Sequence, residues 1–305
     1  MYFIGVSTQE SLVMDVFGSW ADLLELGDCA LVGVDIPPRA DAREYREIVD
    51  FIAEDPLSLG ALVTTHKLDL FAACEDRFGS VDDFALLMRE ISSISKRDGR
   101  LVGHAKDAIT ARLALEAFIP PSQWVGNDGA AFLAGAGGAA TAIAWALRGW
   151  ENERNRPSRI LVSDLDPERL LAIRRAAEQA PSSVPLETVH CHHSADNDAV
   201  VAALPAASLV VNATGLGKDA PGSPLTDDVV FPPCARAWEL NYRGDLRFCH
   251  QARTQAVPVE DGFRYFVYGW LAVIAEVFHR PICERGPDFS SLLSVAQSAR
   301  DRRIT

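Results

Sequence analysis

The chain has 305 residues, more than one hydrophobic core usually supports, so its length predicts two domains. Its formal net charge of -13 argues against nucleic acid or an anionic membrane as a partner, because phosphate groups would repel it. No stretch approaches the roughly 20 apolar residues that span a bilayer, and the first residues lack the pattern of a secretory signal. We therefore expect a cytoplasmic monomer or homodimer that acts on a small-molecule substrate and binds neither nucleic acid nor membrane.

The first part of the chain alternates short apolar runs with amphipathic segments, the pattern of βαβ units. The predicted strands cover residues 2–6, 30–36, 62–65, 91–95 and 100–102, and the predicted helices cover residues 11–24, 40–53, 67–78 and 108–118. Asp98-Gly99 favours a tight hairpin turn between the last two of these strands. The pattern ends at Pro120-Pro121, where we place a domain boundary.

A second series of strands and helices follows this boundary and predicts a doubly wound sheet. Its strands are expected near residues 130–133, 160–163, 188–191, 209–212 and 237–241. A long apolar helix at about 265–279 is expected to pack back onto the first domain, and residues from Gly286 onward resemble a loosely held tail with one polar helix. The predicted fold class is therefore α/β, with an N-terminal α/β domain and a C-terminal Rossmann domain.

Cysteine usage favours reduced thiols, because the six cysteines are scattered without a C-x-x-C pair. The run His190-Cys191-His192-His193 contains good zinc ligands. However, adjacent residues of an extended chain point to opposite faces and do not easily converge on one ion. The sequence therefore favours a protein without a metal site.

A glycine-rich turn lies between an apolar strand and an alanine-rich helix and predicts a pyrophosphate site. The residues of this turn are Gly135, Ala136, Gly137, Gly138 and Ala139. Asp164 ends the next strand, at the spacing of an acid that binds the cofactor ribose. A carboxylate there would repel a 2′-phosphate and no arginine immediately follows it, so we expect NAD rather than NADP. A purely structural turn is the alternative interpretation.

A third segment, running to Gly217, resembles a strand that ends in a glycine-containing loop at the carboxyl edge of the sheet. Open α/β sheets bind ligands at this edge. The segment therefore predicts further cofactor contacts from Asn212, Ala213, Thr214, Gly215 and Leu216. A plain β-turn is the alternative here.

Together with other segments in collinear order, these motifs resemble the shikimate and quinate dehydrogenase family. Val63-Thr-Thr-His-Lys67 is similar to the family's segment ending in Pro-His-Lys, and Gly103-His-Ala-Lys-Asp107 is similar to its Gly-x-Asn-Thr-Asp. Leu240-Asn-Tyr242 and Asp261-Gly262 before an apolar helix also match. The resemblance implies a substrate domain at 1–119, with helices of 265–305 packed on it, and an NAD-binding domain at 120–264. It also implies that Tyr242 and Gly262 contact the cofactor.

The resemblance further implies that Lys67 and Asp107 are catalytic, and the chemistry of the two residues agrees with this. Oxidation of a secondary alcohol requires removal of its hydroxyl proton, which a lysine of lowered pKa accepts. Asp107 would hold the ammonium and the hydroxyl in line. The alternatives are an ordinary lysine at a helix start and an aspartate helix cap, and His66 is expected to be a packing residue.

The chain departs from the family at positions that contact the substrate ring. Gln9 and Ser11 stand near the family's serine pair, Ala61, Ser92 and Ala105 replace asparagines, and Gly269 followed by Trp270 replaces a glutamine. The predicted substrate-binding residues are Gln9, Ser11, Val63, Ser92, Ala105, Tyr242, Tyr265 and Gly269. Because loss of hydrogen-bonding partners removes recognition of ring hydroxyls, we expect a carboxylated ring compound or cyclitol of secondary metabolism. The alternatives are a genuine shikimate or quinate dehydrogenase, in aromatic amino acid biosynthesis, and a non-catalytic NAD-sensing module.

Overall fold

A computed structural model describes residues 1–150, 152–179, 182–217 and 220–304. The chain divides into two compact units, the first formed by Met1–Lys106 with Val267–Thr305 and the second by Asp107–Phe266. The division falls before helix Asp107–Phe118 and not after it, because that helix packs on helix Gly138–Arg148 of the second unit. The boundary expected from sequence, after residue 119, therefore differs from the division that the contacts produce.

The first unit holds strands β1 (Tyr2–Gly5), β2 (Val32–Asp35), β3 (Gly60–Val63), β4 (Ser80–Val81), β5 (Ser93–Arg97) and β6 (Arg100–His104), and helices α1 (Val13–Leu23), α2 (Ala42–Glu54), α3 (Lys67–Cys74) and α4 (Asp83–Met88). The sheet order is β2-β1-β3-β5-β6-β4, and only β5 runs antiparallel to its neighbours. The core forms where α2 and α3 cover this sheet, around Ile4, Tyr45, Leu70, Phe71 and Ile94.

The second unit holds helix α5 (Asp107–Phe118), strands β7 (Ala131–Ala134), β8 (Ile160–Asp164), β9 (Leu186–His190), β10 (Leu209–Asn212), β11 (Arg236–Glu239) and β12 (Val259–Glu260), and helices α6 (Gly138–Arg148), α7 (Pro167–Gln179), α8 (Ser194–Ala202) and α9 (Arg247–Thr254). The strands are all parallel, in the order β12-β11-β10-β7-β8-β9. The strand order therefore reverses between β7 and β10, which is the point where Rossmann folds bind their ligand.

Two final helices complete the chain, α10 (Phe263–Val277), which crosses from the second unit into the first, and α11 (Pro287–Ile304). The one helix predicted after Gly286 is present as α11, but the prediction that this segment is loosely held was wrong. Phe289, Leu292, Ala296 and Ala299 form a buried stripe on α11, which packs on α1. The stripe is rich in alanine, so its sequence pattern was too weak to indicate burial.

Two other predicted boundaries changed. The helix expected at 67–78 ends at Cys74, because the chain then makes a 3-10 turn at Glu75–Arg77 and leads into β4, which pairs with β6. Sequence reasoning missed β4 and α4, which are only 2 and 6 residues long.

Among the helices described, none is long and apolar enough to cross a membrane.

Candidate active site

Lys67 is the first residue of α3, on a tight turn after β3. Thr65 in this turn has a positive φ of 58°, which is strained for a β-branched residue. The next residue, His66, is buried, and its Nδ1 lies 2.9 Å from the hydroxyl of Tyr45 on α2. Burial, aided by the Asp69 charge, raises the pKa of Tyr45 to about 12, so its hydroxyl keeps its proton. The contact anchors the turn that carries the half-buried Lys67.

Ser92 links this turn to the segment that leads to Asp107. Its backbone N–H donates to His104 O at 2.9 Å, and its carbonyl accepts from Val63 N at 2.9 Å. Its side-chain oxygen accepts from Lys106 N at 2.7 Å. Beside it, Ile91 N donates to Lys67 O at 3.1 Å. Residues that are distant in sequence are therefore held together at one edge of the first sheet.

The other predicted substrate residues of the first unit lie at or near this edge. Gln9 and Ser11 follow the carboxyl end of β1, which is parallel to β3, and Ala105 follows β6. Val63, Ser92 and Ala105 are all buried. The hydroxyl of Ser92 is already engaged by the backbone, whereas Gln9 is exposed.

The remaining predicted residue of this unit, Gly269, lies on α10, where a Cβ atom would meet nothing within 4 Å. The adjacent Trp270 is buried against Phe3, with ring centroids 4.9 Å apart. Gly269 therefore borders open space, and Trp270 belongs to the core.

A charged network that sequence reasoning missed lies beside Lys106. Glu276 on α10 contacts Lys106 Nζ at 2.7 Å, Arg97 at 2.6 Å and His104 Nε2 at 3.4 Å. His104 Nδ1 lies 3.3 Å from Asp82, the residue that caps α4. Burial alone would raise the pKa of Glu276, but its hydrogen bonds to Lys106 and Arg97 outweigh burial and lower it to about 2. Glu276 is therefore ionised at neutral pH.

The glycine-rich turn of the second unit joins β7 to α6. Gly135 has a φ of 102°, and a Cβ atom there would lie 2.8 Å from Ala213 O, so the β7 and β10 turns approach closely only because this residue is glycine. Gly137 is the N-cap residue of α6, and no atom lies within 4 Å of the position that a Cβ atom would occupy there. The helix N-terminus, with Gly138 and Ala139 in its first turn, is open to a pyrophosphate.

Asp164 is the last residue of β8, and its carboxylate is hydrogen-bonded to this turn. One carboxylate oxygen accepts from Ala136 N at 2.7 Å, and the other accepts from Asp166 N at 2.9 Å. Each carboxylate oxygen can accept a further hydrogen bond, so Asp164 retains capacity for ribose hydroxyls. The residues present thus fit the phosphate and ribose groups of a dinucleotide.

The loop after β10 is ordered by hydrogen bonds of Asn212. Its side-chain oxygen accepts from Thr214 N at 3.0 Å and from Thr214 Oγ1 at 2.6 Å. Its Nδ2 donates to Glu239 Oε2 at 2.6 Å, and Glu239, on the neighbouring strand, is 0% exposed. Sequence reasoning missed Glu239, although an acid at the end of the largely buried strand β11 is a signal for a buried polar contact. Ala213 and Leu216 are half-buried in this loop, and Gly215 is exposed.

Gly262 places the start of α10 against the end of β11, because a Cβ atom there would lie 1.9 Å from Leu240 O. The Tyr242 ring packs on Phe266, at 4.6 Å between centroids, and Tyr265 packs on Trp238 at 5.6 Å. Both tyrosines are half-buried. Asp107, the first residue of α5 in this unit, is half-buried as well.

The histidine run at the end of β9 keeps the alternation expected of an extended chain only as far as His192, because His193 caps α8. His190, His192 and His193 are exposed, whereas Cys191 is buried. In the part of the chain that the structure describes, no three His, Cys, Asp or Glu side chains are grouped so as to hold a metal ion. Cys29, Cys74, Cys191, Cys234 and Cys283 form no disulfide bond.

These features define a two-domain α/β protein whose second unit is a Rossmann dinucleotide-binding fold. No protein-family model matches the chain. It is similar to the shikimate dehydrogenase (NADP(+)) of Thermus thermophilus, with 31% identity over 173 residues. This region covers 56% of the chain and 55% of that protein, so the match spans about half the length of the curated relative.

Solved structures extend the similarity to nearly the whole chain. The shikimate 5-dehydrogenase of Thermus thermophilus, in complex with NADP(H) and shikimate, superposes with a TM-score of 0.72 at 22% identity, covering 98% of each chain. The Listeria monocytogenes shikimate 5-dehydrogenase with shikimate and NAD gives 0.71 at 16% identity, covering 97% of this chain and 95% of that one. The 5-ketofructose reductase of Gluconobacter sp. strain CHM43 gives 0.71 at 16%, covering 97% of both. The predicted fold class and the resemblance to shikimate dehydrogenases are thus confirmed.

Proposed function

We propose that the protein is an NAD(P)-dependent oxidoreductase that transfers a hydride between nicotinamide and a secondary alcohol or ketone on a ring. The observation that carries the proposal is the Ser92 linkage, which ties the Lys67 turn to the segment before Asp107. A Rossmann unit with an open glycine-rich turn supports it. The similarity to shikimate dehydrogenases, which act on CH–OH groups, supports the same reaction class.

In the proposed reaction, the nicotinamide supplies or accepts the hydride when it is bound. Lys67 accepts the hydroxyl proton at Nζ during oxidation and returns it during reduction. Asp107 holds the lysine Nζ, which is an uncharged amine before it accepts the proton and an ammonium afterwards, in line with the reacting hydroxyl. The contact between His66 and Tyr45 keeps the turn in place, so that Lys67 does not have to be ordered at each turnover.

The substrate we propose has fewer ring hydroxyls than shikimate or is bulkier. Val63 and Ala105 offer no hydrogen-bonding side chain, the Ser92 hydroxyl is engaged by the backbone, and Gly269 leaves open space. The similarity to a shikimate dehydrogenase favours the alternative, a genuine shikimate or quinate dehydrogenase. Turnover assays of shikimate, quinate and less hydroxylated ring alcohols with NAD and NADP separate the two. Efficient turnover of shikimate would rule out the altered substrate.

The direct test of the mechanism is Lys67→Met. We expect kcat to fall by about 10²–10⁴-fold, while the Kd for NAD stays within about twofold, because Lys67 belongs to the first unit. Lys67→Arg should be equally inactive, because arginine keeps the charge but does not release its proton. Leu68→Ala, at an exposed neighbour on the same helix, is the control. If the protein binds NAD but Lys67→Met changes no measurable activity, a non-catalytic NAD-sensing module is the better description.

We propose NAD as the cofactor, because the Asp164 carboxylate accepts a hydrogen bond from Ala136 N in the glycine-rich turn, where it would repel a 2′-phosphate. The Thermus relative is named for NADP(+), whereas the Listeria structure contains NAD. Asp164→Ser should weaken NAD binding about tenfold and improve NADP binding, because a repulsive charge is removed. Titration calorimetry with both dinucleotides measures this, with the exposed Glu187→Gln on β9 as the control. A wild-type protein that prefers NADP would overturn the assignment.

We also propose that the protein works in the cytoplasm, because its six cysteines are scattered without a C-x-x-C pair, a pattern that favours reduced thiols. The predicted monomer or homodimer remains a proposal that analytical ultracentrifugation can test.

A further inference from the structure

The buried carboxylate of Glu239 is hydrogen-bonded to residues that order the Asn212–Gly217 loop of the second unit. Glu239 ends β11, in register with Asn212 at the end of β10. Its Oε2 accepts from Asn212 Nδ2 at 2.6 Å, and its Oε1 accepts from Asn241 N at 2.8 Å. Both donors are N–H groups, so each carboxylate oxygen serves as an acceptor.

The orientation of both asparagine amides is determined by their other partners. Asn212 Oδ1 accepts from Thr214 N, a group that only donates, so Asn212 Nδ2 must face Glu239. Asn241 Nδ2 donates to the carbonyl of Leu216 at 3.0 Å, and Leu216 N donates to Thr214 Oγ1 at 3.2 Å. Two chains of hydrogen bonds therefore start at Glu239 and meet at Leu216.

We infer that Glu239 is a positioning residue that holds the Asn212–Gly217 loop in its cofactor-binding form only while its carboxyl group is ionised. The inference rests on the proposed function, in which this loop contacts the dinucleotide. A protonated carboxyl group would turn an O–H toward one of the two N–H donors and leave that donor buried without an acceptor. The loop would then lose one of its two anchors.

The environment of Glu239 raises its pKa, so its carboxyl group gains or loses its proton near neutral pH. Burial raises the pKa of Glu239 to about 7, although the hydrogen bonds from Asn241 and Asn212 lower it in part. The nearby charge of Asp261, just before α10, adds to the rise. Asn212 and Asn241 themselves carry no charge. Cofactor affinity should therefore increase as the pH rises through about 7.

Folding stability should change in the opposite direction. The ordinary glutamic acid pKa of 4.5 applies to the unfolded chain, so between 4.5 and about 7 the folded protein binds the additional proton. Stability conferred by this group is then lost as the pH rises through that interval. A residue with only a structural role would not strengthen cofactor binding under conditions that weaken the fold.

The test is isothermal titration of the full-length protein with NAD near pH 7, in buffers of different ionisation enthalpy. We expect the wild type to release part of one proton on binding, and its Kd to fall at least about threefold between pH 6 and pH 8. Glu239→Gln should remove the linked proton release and flatten this dependence, with a Kd at pH 8 near the wild-type value at pH 6. Glu260→Gln, the same substitution on the neighbouring strand β12, should behave as the wild type.

The outcomes separate the inference from the proposed function. NAD binding by the wild type without proton release, or a Glu239→Gln protein with unchanged proton release, overturns the role of Glu239 alone. Failure of NAD and NADP to bind at any pH overturns both. If Glu239→Gln does not fold, the inference is tested on the wild type alone. Proton release on NAD binding, with affinity rising and urea stability falling as the pH increases, would support the role of Glu239, and the absence of either result would overturn it.

Discussion

The choice of amino acid at single positions is restricted most strongly where two backbone segments approach each other closely. Gly262 is the clearest case, because its missing side chain lets the start of α10 contact Leu240 O at the end of β11. Gly135 has the same role between the β7 turn and Ala213. Both glycines were assigned to the cofactor site from sequence, and their close backbone contacts give a structural reason for glycine that is independent of any ligand.

Gly262→Ala should therefore destabilise the protein by about 2–4 kcal/mol, because the added Cβ would lie 1.9 Å from a backbone oxygen that cannot move freely. Urea denaturation measures the change. Gly18→Ala is the matched control, since nothing lies within 4 Å of its Cβ position on α1. There alanine should raise stability by about 0.5–1 kcal/mol through its helix propensity. Equal effects of the two substitutions would contradict the crowding at Gly262.

At the scale of elements, α10 is the helix that crosses from one unit to the other. Its Glu276 joins the helix to β5 through Arg97, to β6 through His104, and to the residue before Asp107 through Lys106. Lys106, the residue before the proposed catalytic aspartate, is therefore held at its backbone N by Ser92 and at its Nζ by Glu276 of α10.

Glu276→Gln should lower the free energy of unfolding at pH 7 by about 3 kcal/mol, because the folded pKa of about 2 lies below the ordinary value of 4.5. The contribution of the ionised group is complete above pH 4.5 and is lost as the pH falls through about 2. The difference between wild type and variant should thus shrink to less than about half at pH 3. Urea denaturation at the two pH values tests this.

The control for this substitution is Glu47→Gln on α2, where the ion pair with Arg43 is exposed. Such surface pairs contribute about 0–1 kcal/mol, so the control should change stability little. A difference at Glu276 that stays constant from pH 7 to pH 3 would show that the lost stability does not come from its charge.

At the scale of the whole molecule, the first unit is discontinuous in sequence and depends on the end of the chain. Trp20 of α1 is fully buried, and its Nε1 donates to Leu292 O of α11 at 2.9 Å. Tyr268 of α10 also stacks on Phe289 of α11, with centroids 4.8 Å apart. The second unit, by contrast, is one continuous stretch with its own core.

Removal of residues 287–305 should therefore destabilise the first unit by more than about 5 kcal/mol, since several large apolar side chains lose their cover. The second unit should keep its fold and bind NAD with a Kd within about twofold of the wild type. Amide hydrogen exchange of each unit, together with NAD titration, measures the two effects. Loss of protection in both units to the same extent would mean that they do not fold separately.

Local features of the sequence predicted much of this fold and part of the candidate site. The strand at 209–212, the turn from Gly135 to Ala139 and the helix start at Lys67 all depend on residues within a few positions of one another. Apolar periodicity and glycine placement act over this range, because they reflect backbone preferences and the burial of one face. The class of fold followed from their order along the chain.

Only the tertiary structure decided which distant residues meet. Lys106 and Glu276, Trp20 and Leu292, and Asn212 and Glu239 are pairs whose partners are far apart in sequence and carry no shared local pattern. Their contacts arise when whole sheets and helices close around a core, and that closure also determines the pKa of each buried acid. The sequence by itself therefore determined the elements and the dinucleotide motif, whereas the folded chain decided how the charges around them are paired.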